Sequence, residues 1–468
     1  MPNRRFARLA AILCPAVAVA ILSAAGRSTK AAAADAEMID SQDPSGQLRT
    51  LSPGGPLDLD NPFFQDLGTN GRRCVTCHQP DVGWTITPAN VQERFRESRG
   101  ADPIFTNNDG STCEGAVARS LADKRAAYGL LLTRGLFRIG LDVPPGAEFV
   151  IESVSDPNRC GPATNDASLY RRPLPSTNLG FLTAVMWDGR ESTASTTILQ
   201  DLAHQANDAT LGHAQATHDL TDQQVRQIVA FETGLFTAQV RDDRAGNLRS
   251  DGARGGPRAL STQGFFIGIN DPVGLNPSGA AFDPNVFTLF DAWASLGGSG
   301  HDREMNAQKA IARGQALFNS KTITISGVAG LNGVTFPSGQ TVPESFAGSC
   351  TICHDSPNVG NHSVKAPLDI GLTAPAQAPY LPVYTLRNLS TQETLRTTDP
   401  GRAMITGKWA DVNKFKGPIL RALAARAPYF HNGSAATLEE VVQFYDTRFN
   451  IGFTAREKAD LVAFLRAL

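Results

Sequence analysis

The C-terminal stretch of this chain carries a clear helical pattern. Leu461, Val462, Phe464, Leu465 and Leu468 fall on one apolar stripe, and Thr454-Ala455-Arg456-Glu457 ahead of them is a capping box. The same start signal stands at Thr437-Leu438-Glu439-Glu440. Thr221 with Gln224 opens another helix, apolar at Val225, Ile228, Val229 and Phe236. Residues 303–319 predict a helix on which Gly314 and Phe318 share a face, and the closing helix is expected to lie across it. Shorter signals mark a turn of helix at Asn61-Pro62-Phe63-Phe64, a helix over 114–134 and a polar helix over 196–216. A hairpin is expected from 137–143 and 148–154 around Pro144-Pro145-Gly146. Pattern is missing from 35–60, which reads as an extended arm, and from 241–280 and 357–400, which read as connection and loop.

The first residues differ in kind. Arg4, Arg5 and Arg8 precede an apolar run from Leu9 to Ala25 and small residues Ala31 to Ala34, so residues 1–34 read as a signal peptide, with an uncleaved membrane anchor as the alternative. Removing them leaves 38 basic against 45 acidic residues, a net charge of −7. That balance gives no footing for nucleic acid, and no later stretch is long and apolar enough to span a membrane. The mature length exceeds what one core usually supports, which predicts two or more domains in a periplasmic protein.

Candidate chemistry sits in two short repeats. Cys74-Val75-Thr76-Cys77-His78 and Cys350-Thr351-Ile352-Cys353-His354 are both C-x-x-C-H. In an exported chain this spacing presents two thiols to the vinyl groups of one haem and an imidazole to its iron. A zinc site or a thioredoxin-like pair accounts for the cysteines but not for a histidine in both copies. The cofactors expected are therefore two covalent haem c groups, with His78 and His354 as iron ligands. Cys14 leaves with the signal. Cys113 and Cys160 then form an even pair in an oxidising compartment and predict a disulfide, two separate buried thiols being the alternative. Met404, the one methionine after His354, is a candidate thioether ligand for the second iron.

Further motifs join the two repeats. Trp187-Asp188-Gly189-Arg190 lies between them, and Phe415-Lys416-Gly417-Pro418-Ile419-Leu420-Arg421, Ala427-Pro428-Tyr429-Phe430-His431-Asn432-Gly433 and Thr437-Leu438-Glu439-Glu440 follow the second. Together they resemble the bacterial di-haem cytochrome c peroxidase and MauG superfamily, over most of the mature chain except residues 82–165 and 241–300. The resemblance implies a mainly α fold of two cytochrome c-like haem domains. These would occupy 35–240 and 301–468, with an interdomain connection over 241–300. An inserted subdomain containing some β would fill about 82–165.

It also implies roles. His78 would hold the peroxidatic haem, His354 the electron-transfer haem, and Trp187 would couple them. Family peroxidases block the first iron with a histidine soon after its motif; none occurs here between His78 and His204, which implies a site open at rest. The family's sixth-ligand position on the second haem falls on Tyr445, where peroxidases have methionine and MauG has tyrosine, so Tyr445 and Met404 are both candidates. The distal glutamate position falls near Gln205-Ala206-Asn207-Asp208, leaving His204 or Asp208 as candidate acid/base residues. His431 is expected at a propionate of the second haem. The family's calcium-binding asparagine falls near Arg172, which makes calcium doubtful. His218, His301 and His362 receive no role. The expected substrate is hydrogen peroxide, with electrons from a small periplasmic donor (cytochrome c or cupredoxin) or from a protein substrate, as in MauG. A non-catalytic electron-transfer cytochrome and a rubber-oxygenase-like dioxygenase are the other readings.

Overall fold

A computed structural model describes residues 37–161, 166–297 and 302–468; the signal sequence and His301 lie outside them. Among the described residues there are eleven α-helices and four sheets, so the fold is mixed rather than mainly α, and strands occur well outside the inserted segment. The expected arm is one of these strand regions. Glu37–Asp43 and Gly46–Ser52 form an antiparallel hairpin that continues onto Phe236–Asp242 and Gly246–Asn247. Its alternation is disguised because an inward position is polar: buried Thr50 meets the Thr237 hydroxyl at 2.9 Å and accepts from Trp84 Nε1 at 2.9 Å.

The expected hairpin does not form. Phe137–Asp142 pairs instead with Asp166–Arg171, and Phe149–Ser155 pairs with Val383–Asn388, whose other edge holds Thr394–Thr397. Pro144 and Pro145 have no N–H to donate at the point where a ladder would close, and each strand finds a full-length partner elsewhere. The inserted segment is thus sewn to the chain's second half. Tyr384 Oη donates to Ser168 O at 2.7 Å, and Asn158 Nδ2 to Tyr380 O at 3.0 Å. The predicted helix over 114–134 is two short ones, Leu121–Ala127 capped by Ser120 and Gly129–Arg134, separated where Tyr128 leaves helical dihedrals. Cys113 and Cys160 are joined as a disulfide.

Helix starts follow their capping signals. Thr197, Thr221, Thr437 and Thr454 each cap a helix, respectively Ile198–Gly212, Asp222–Thr233, Leu438–Phe449 and Ala455–Arg466. The closing helix buries the apolar stripe read from sequence and crosses Arg303–Ser320 at Gly314, where a Cβ would stand 2.0 Å from Asp460 O. Phe287 and Phe290 from the supposed connection enter this core with Phe318, Phe464 and Trp293. Phe318 in turn stands 5.8 Å from the His354 ring. At the first motif, Phe63, Trp84 and Phe231 form the equivalent support, with Phe63 6.3 Å from His78. No described helix is long and apolar enough to cross a membrane.

Gly314→Ala should therefore lower unfolding free energy by about 1–3 kcal/mol through overpacking. Gly212→Ala, where a Cβ meets nothing within 4 Å, should be neutral or gain up to about 1 kcal/mol. Guanidinium unfolding of the two variants checks the pair.

Candidate active site

Each C-x-x-C-H folds as a single tight turn, Cys74–Cys77 as one turn of α-helix and Cys350–Ile352 as a 3-10 turn. His78 Nδ1 lies 3.1 Å from Trp84 O, and His354 Nδ1 lies 2.6 Å from Gly360 O. A carbonyl only accepts, so Nδ1 carries the proton in both rings and Nε2 keeps its lone pair for a metal. Burial, partly offset by these hydrogen bonds, pushes both imidazoles down to about 4, and they are neutral at pH 7. Burial also raises the neighbouring thiols, Cys77 to about 11 and Cys350 and Cys353 to about 12.

Each turn fronts a cavity. One of about 160 Å³ is lined by Cys77, His78, Gln205, His213 and Glu232; another of about 220 Å³ is lined by Cys350, Cys353, His354, His431 and Tyr445. Trp187, Arg172, Lys416 and Arg426 line both. Arg172, Lys416 and Arg421 are buried and Arg426 is half-buried, and none of these cations has an ion-pair partner among the described residues. Burial lowers them to about 9, 7, 9 and 10 respectively. Uncompensated buried cations beside apolar cavities call for an anionic occupant. A porphyrin with two propionates, tethered by two thiols and ligated by Nε2, fits that donor set. Arg172 itself donates to the carbonyls of Ile86 at 2.6 Å, Arg134 at 2.9 Å and Arg426 at 3.2 Å.

Trp187 owes its position to buried charge. Asp188 pairs with Arg171, and Arg171 forms two bonds to Asp399, at 2.7 and 2.9 Å. Arg402 Nη1 donates to the carbonyls of Asp188 and Gly189 at 3.0 and 2.8 Å. The indole Nε1 donates to Arg172 O at 2.8 Å, and its ring stands edge-on to His431 at 6.2 Å.

The sequence candidates separate here. His431 is buried, stacked on Phe415 at 4.1 Å, and neither ring nitrogen has a hydrogen-bond partner. Tyr445 lines the second cavity with the two cysteines and His354, and burial raises its phenol far above the usual range. Met404 does not reach that cavity. It packs with Phe149, Ile151, Tyr384 and Leu386 behind the three-stranded sheet, so its isolation in the sequence reflected a core role.

His204 and Asp208 also miss their cavity. Leu202, Gln205 and Ala209 form the inward face of helix Ile198–Gly212, which turns His204 and Asp208 to the outer face, with side chains 63% and 51% exposed. His204 there bonds Glu191 at 2.6 Å. Two other titratable residues line the cavity, His213, which stands near the same stretch of sequence, and Glu232, which the sequence reading missed. His213 reaches the cavity from the end of that helix and bonds Asp109 through Nδ1. Glu232 is buried with Oε2 unpartnered, and burial pushes its carboxyl up to about 7 despite a hydrogen bond with Ser176. The signal was present: Glu232 continues the apolar stripe Val225, Ile228 and Val229.

No family model matches the chain. Among curated proteins it is 35% identical over 133 residues to "Cytochrome-c peroxidase IdrP2" of Denitromonas iodatirespirans, covering 26% of this chain and 36% of that protein. It is 36% identical over 125 residues to "Cytochrome c551 peroxidase" of Nitrosomonas europaea, covering 26% and 31%. Over 220 residues it is 29% identical to "Cytochrome-c peroxidase IdrP1" of a Pseudomonas species, covering 40% and 57%. The chain thus spans between 31% and 57% of these relatives' lengths. A crystal structure of "a MauG-like protein associated with microbial copper homeostasis" aligns over 92% of this chain and 93% of that one, at 17% identity and a TM-score of 0.40.

Glu232 sets a pH test of stability. Its folded value lies above its ordinary 4.5, so burial of the neutral acid stabilises fully below pH 4.5, and that contribution is lost as pH rises to about 7. Glu232→Gln should remove a loss of up to about 3 kcal/mol across this window. Urea unfolding at pH 4.5 and 8 should then show a flatter dependence in the variant.

Proposed function

We propose that the chain is a member of the bacterial di-haem cytochrome c peroxidase and MauG superfamily, supported by its likeness to curated cytochrome c peroxidases, and that it is a periplasmic di-haem c-type peroxidase. One haem would be held by Cys74, Cys77 and His78, the other by Cys350, Cys353 and His354. The observation that supports this best is the pair of cavities with Trp187 in both linings. Bound haem supplies the redox chemistry, two-electron reduction of hydrogen peroxide to water at the first site and one-electron exchange at the second.

The chain's own residues do the rest. His78 and His354 offer Nε2 because Trp84 O and Gly360 O hold the other nitrogen protonated. Lys416, Arg426 and Arg421 neutralise propionates in surroundings that exclude water. Trp187, fixed by its bond to Arg172 O and by the Arg171–Asp188 pair, supplies the aromatic bridge between the sites. Gln205, on the cavity face of its helix, orients the peroxide through its amide. Glu232, held near neutrality, gives and takes the proton at Oε2 that O–O cleavage requires. Electrons would come from a small donor protein such as a cytochrome c or cupredoxin.

One observation favours a second reading, a MauG-like enzyme that draws electrons from a protein substrate. The residue presented to the second cavity is Tyr445, and Met404 lies behind a sheet. A phenolate ligand lowers a haem potential relative to a thioether and suits oxidation of a protein side chain.

Low-temperature electron paramagnetic resonance of the as-isolated protein should show one high-spin and one low-spin ferric signal, both changed by one equivalent of hydrogen peroxide. Tyr445→Phe should alter the low-spin signal alone. Two low-spin signals indifferent to peroxide, before and after half-reduction, would leave an electron-transfer cytochrome in place of the enzyme. Glu232→Gln should lower peroxide turnover about 10²–10⁴-fold and abolish its pH dependence near 7, with both haem signals unchanged. Asp208→Asn should stay within about twofold, as expected of a solvated residue on the outer face.

A further inference from the structure

The loop that follows the second C-x-x-C-H motif carries a cluster that the haem chemistry does not use. Asp271, Asp355 and His362 each present a ligand atom within 4.8 Å of the others, and all three residues are buried, at 3%, 0% and 5% exposure. Asp271 Oδ2 accepts from the N–H groups of Val273 at 3.0 Å and Leu275 at 2.7 Å, while Oδ1, equally buried, has no partner. Asp355 accepts from the N–H and hydroxyl of Ser363, at 2.7 and 2.5 Å. His362 Nδ1 lies 3.1 Å from Ala366 O, so it carries the proton and Nε2 keeps its lone pair.

Among the described residues, no Lys or Arg ion-pairs with either carboxylate, and no ion pair joins the imidazole to them. Two carboxylates buried together without a cation are costly, and here they meet at an imidazole prepared as a metal ligand. We infer that Asp271, Asp355 and His362 form a structural site for a divalent first-row transition-metal ion, Zn²⁺ or Mn²⁺. The imidazole argues against the all-oxygen surroundings that Ca²⁺ and Mg²⁺ prefer.

The site has a mechanical sense. Asp355 directly follows His354, and His362 lies two residues past Gly360, whose carbonyl orients the His354 ring. Asp271 belongs to a separate segment that already grips this loop: Gly268 N donates to Ser363 O at 2.8 Å, and Asn270 Nδ2 to Asp355 O at 3.1 Å. A shared ion would lock the two segments together beside the His354 turn. This inference is independent of the peroxidase reading, and its test reads metal rather than turnover.

Holoprotein treated with EDTA, which leaves covalent haem in place, is titrated with ZnCl₂ and MnCl₂ by calorimetry. One ion per chain should bind, with CaCl₂ weaker. Asp271→Asn and His362→Gln should each weaken binding at least about tenfold, while Asp208→Asn, in the exposed Glu191–His204–Asp208 group, leaves it unchanged. No saturable binding, or binding lost in Asp208→Asn and kept in Asp271→Asn, overturns the site. Anomalous diffraction at the zinc edge from wild-type crystals needs no variant. A peak among the three residues, besides those of the haem irons, supports the site, and its absence there overturns it.

Discussion

A guanidinium buried between two carboxylates holds the centre of this molecule in register. Arg171 ends one strand, Asp188 belongs to the W-D-G-R turn, and Asp399 comes from far along the chain. Burying three charges contributes little net stability, because desolvation offsets most of the attraction. The return is positional. With Arg171 fully bonded, Asp188 has one place to be, and Trp187 beside it is set in the wall between two cavities. The other cations of that wall lack carboxylate partners among the described residues, so the protein supplies positive charge where the proposed haem propionates would bring negative charge.

How much of this was legible in the sequence depends on the range of the physics involved. The tight turns of C-x-x-C-H, the capping boxes at Thr221 and Thr454 and the closing helix are local patterns whose geometry is complete within a few residues, and they stand in the structure as read; at Thr437 only the threonine half of the box forms, Glu440 Oε2 accepting from Ala436 N instead. The Cys113–Cys160 bridge could be read for a different reason: few cysteines remained to choose from. Trp187 could be singled out only through the resemblance of Trp187-Asp188-Gly189-Arg190 to a superfamily motif.

The misses share one cause: each turned on which side of an element faces inward, and that is decided by its partners. His204 and Asp208 are one position away from Gln205 and Ala209 and so lie on the other side of the same helix. Met404 looked like a ligand because it was the one thioether available, yet a sheet assembled from residues 149–155 and 383–397 covered it. That sheet was itself invisible, since its strands come from segments that read as a hairpin and as a loop. Glu232 is the instructive case. A carboxylate on an apolar stripe was in plain view, and its significance emerged only with a cavity beside it.

The same sheet bears on how the chain must be made. Strand Phe149–Ser155 finds its partner about 235 residues later, in Val383–Asn388. During synthesis the early strand emerges with an open edge and a long wait. An unpaired edge invites pairing with another chain. The disulfide between Cys113 and Cys160 encloses this strand and can close before its partner arrives. Oxidation would then serve as a holding device, keeping the strand's segment compact until the remaining chain comes to cover it.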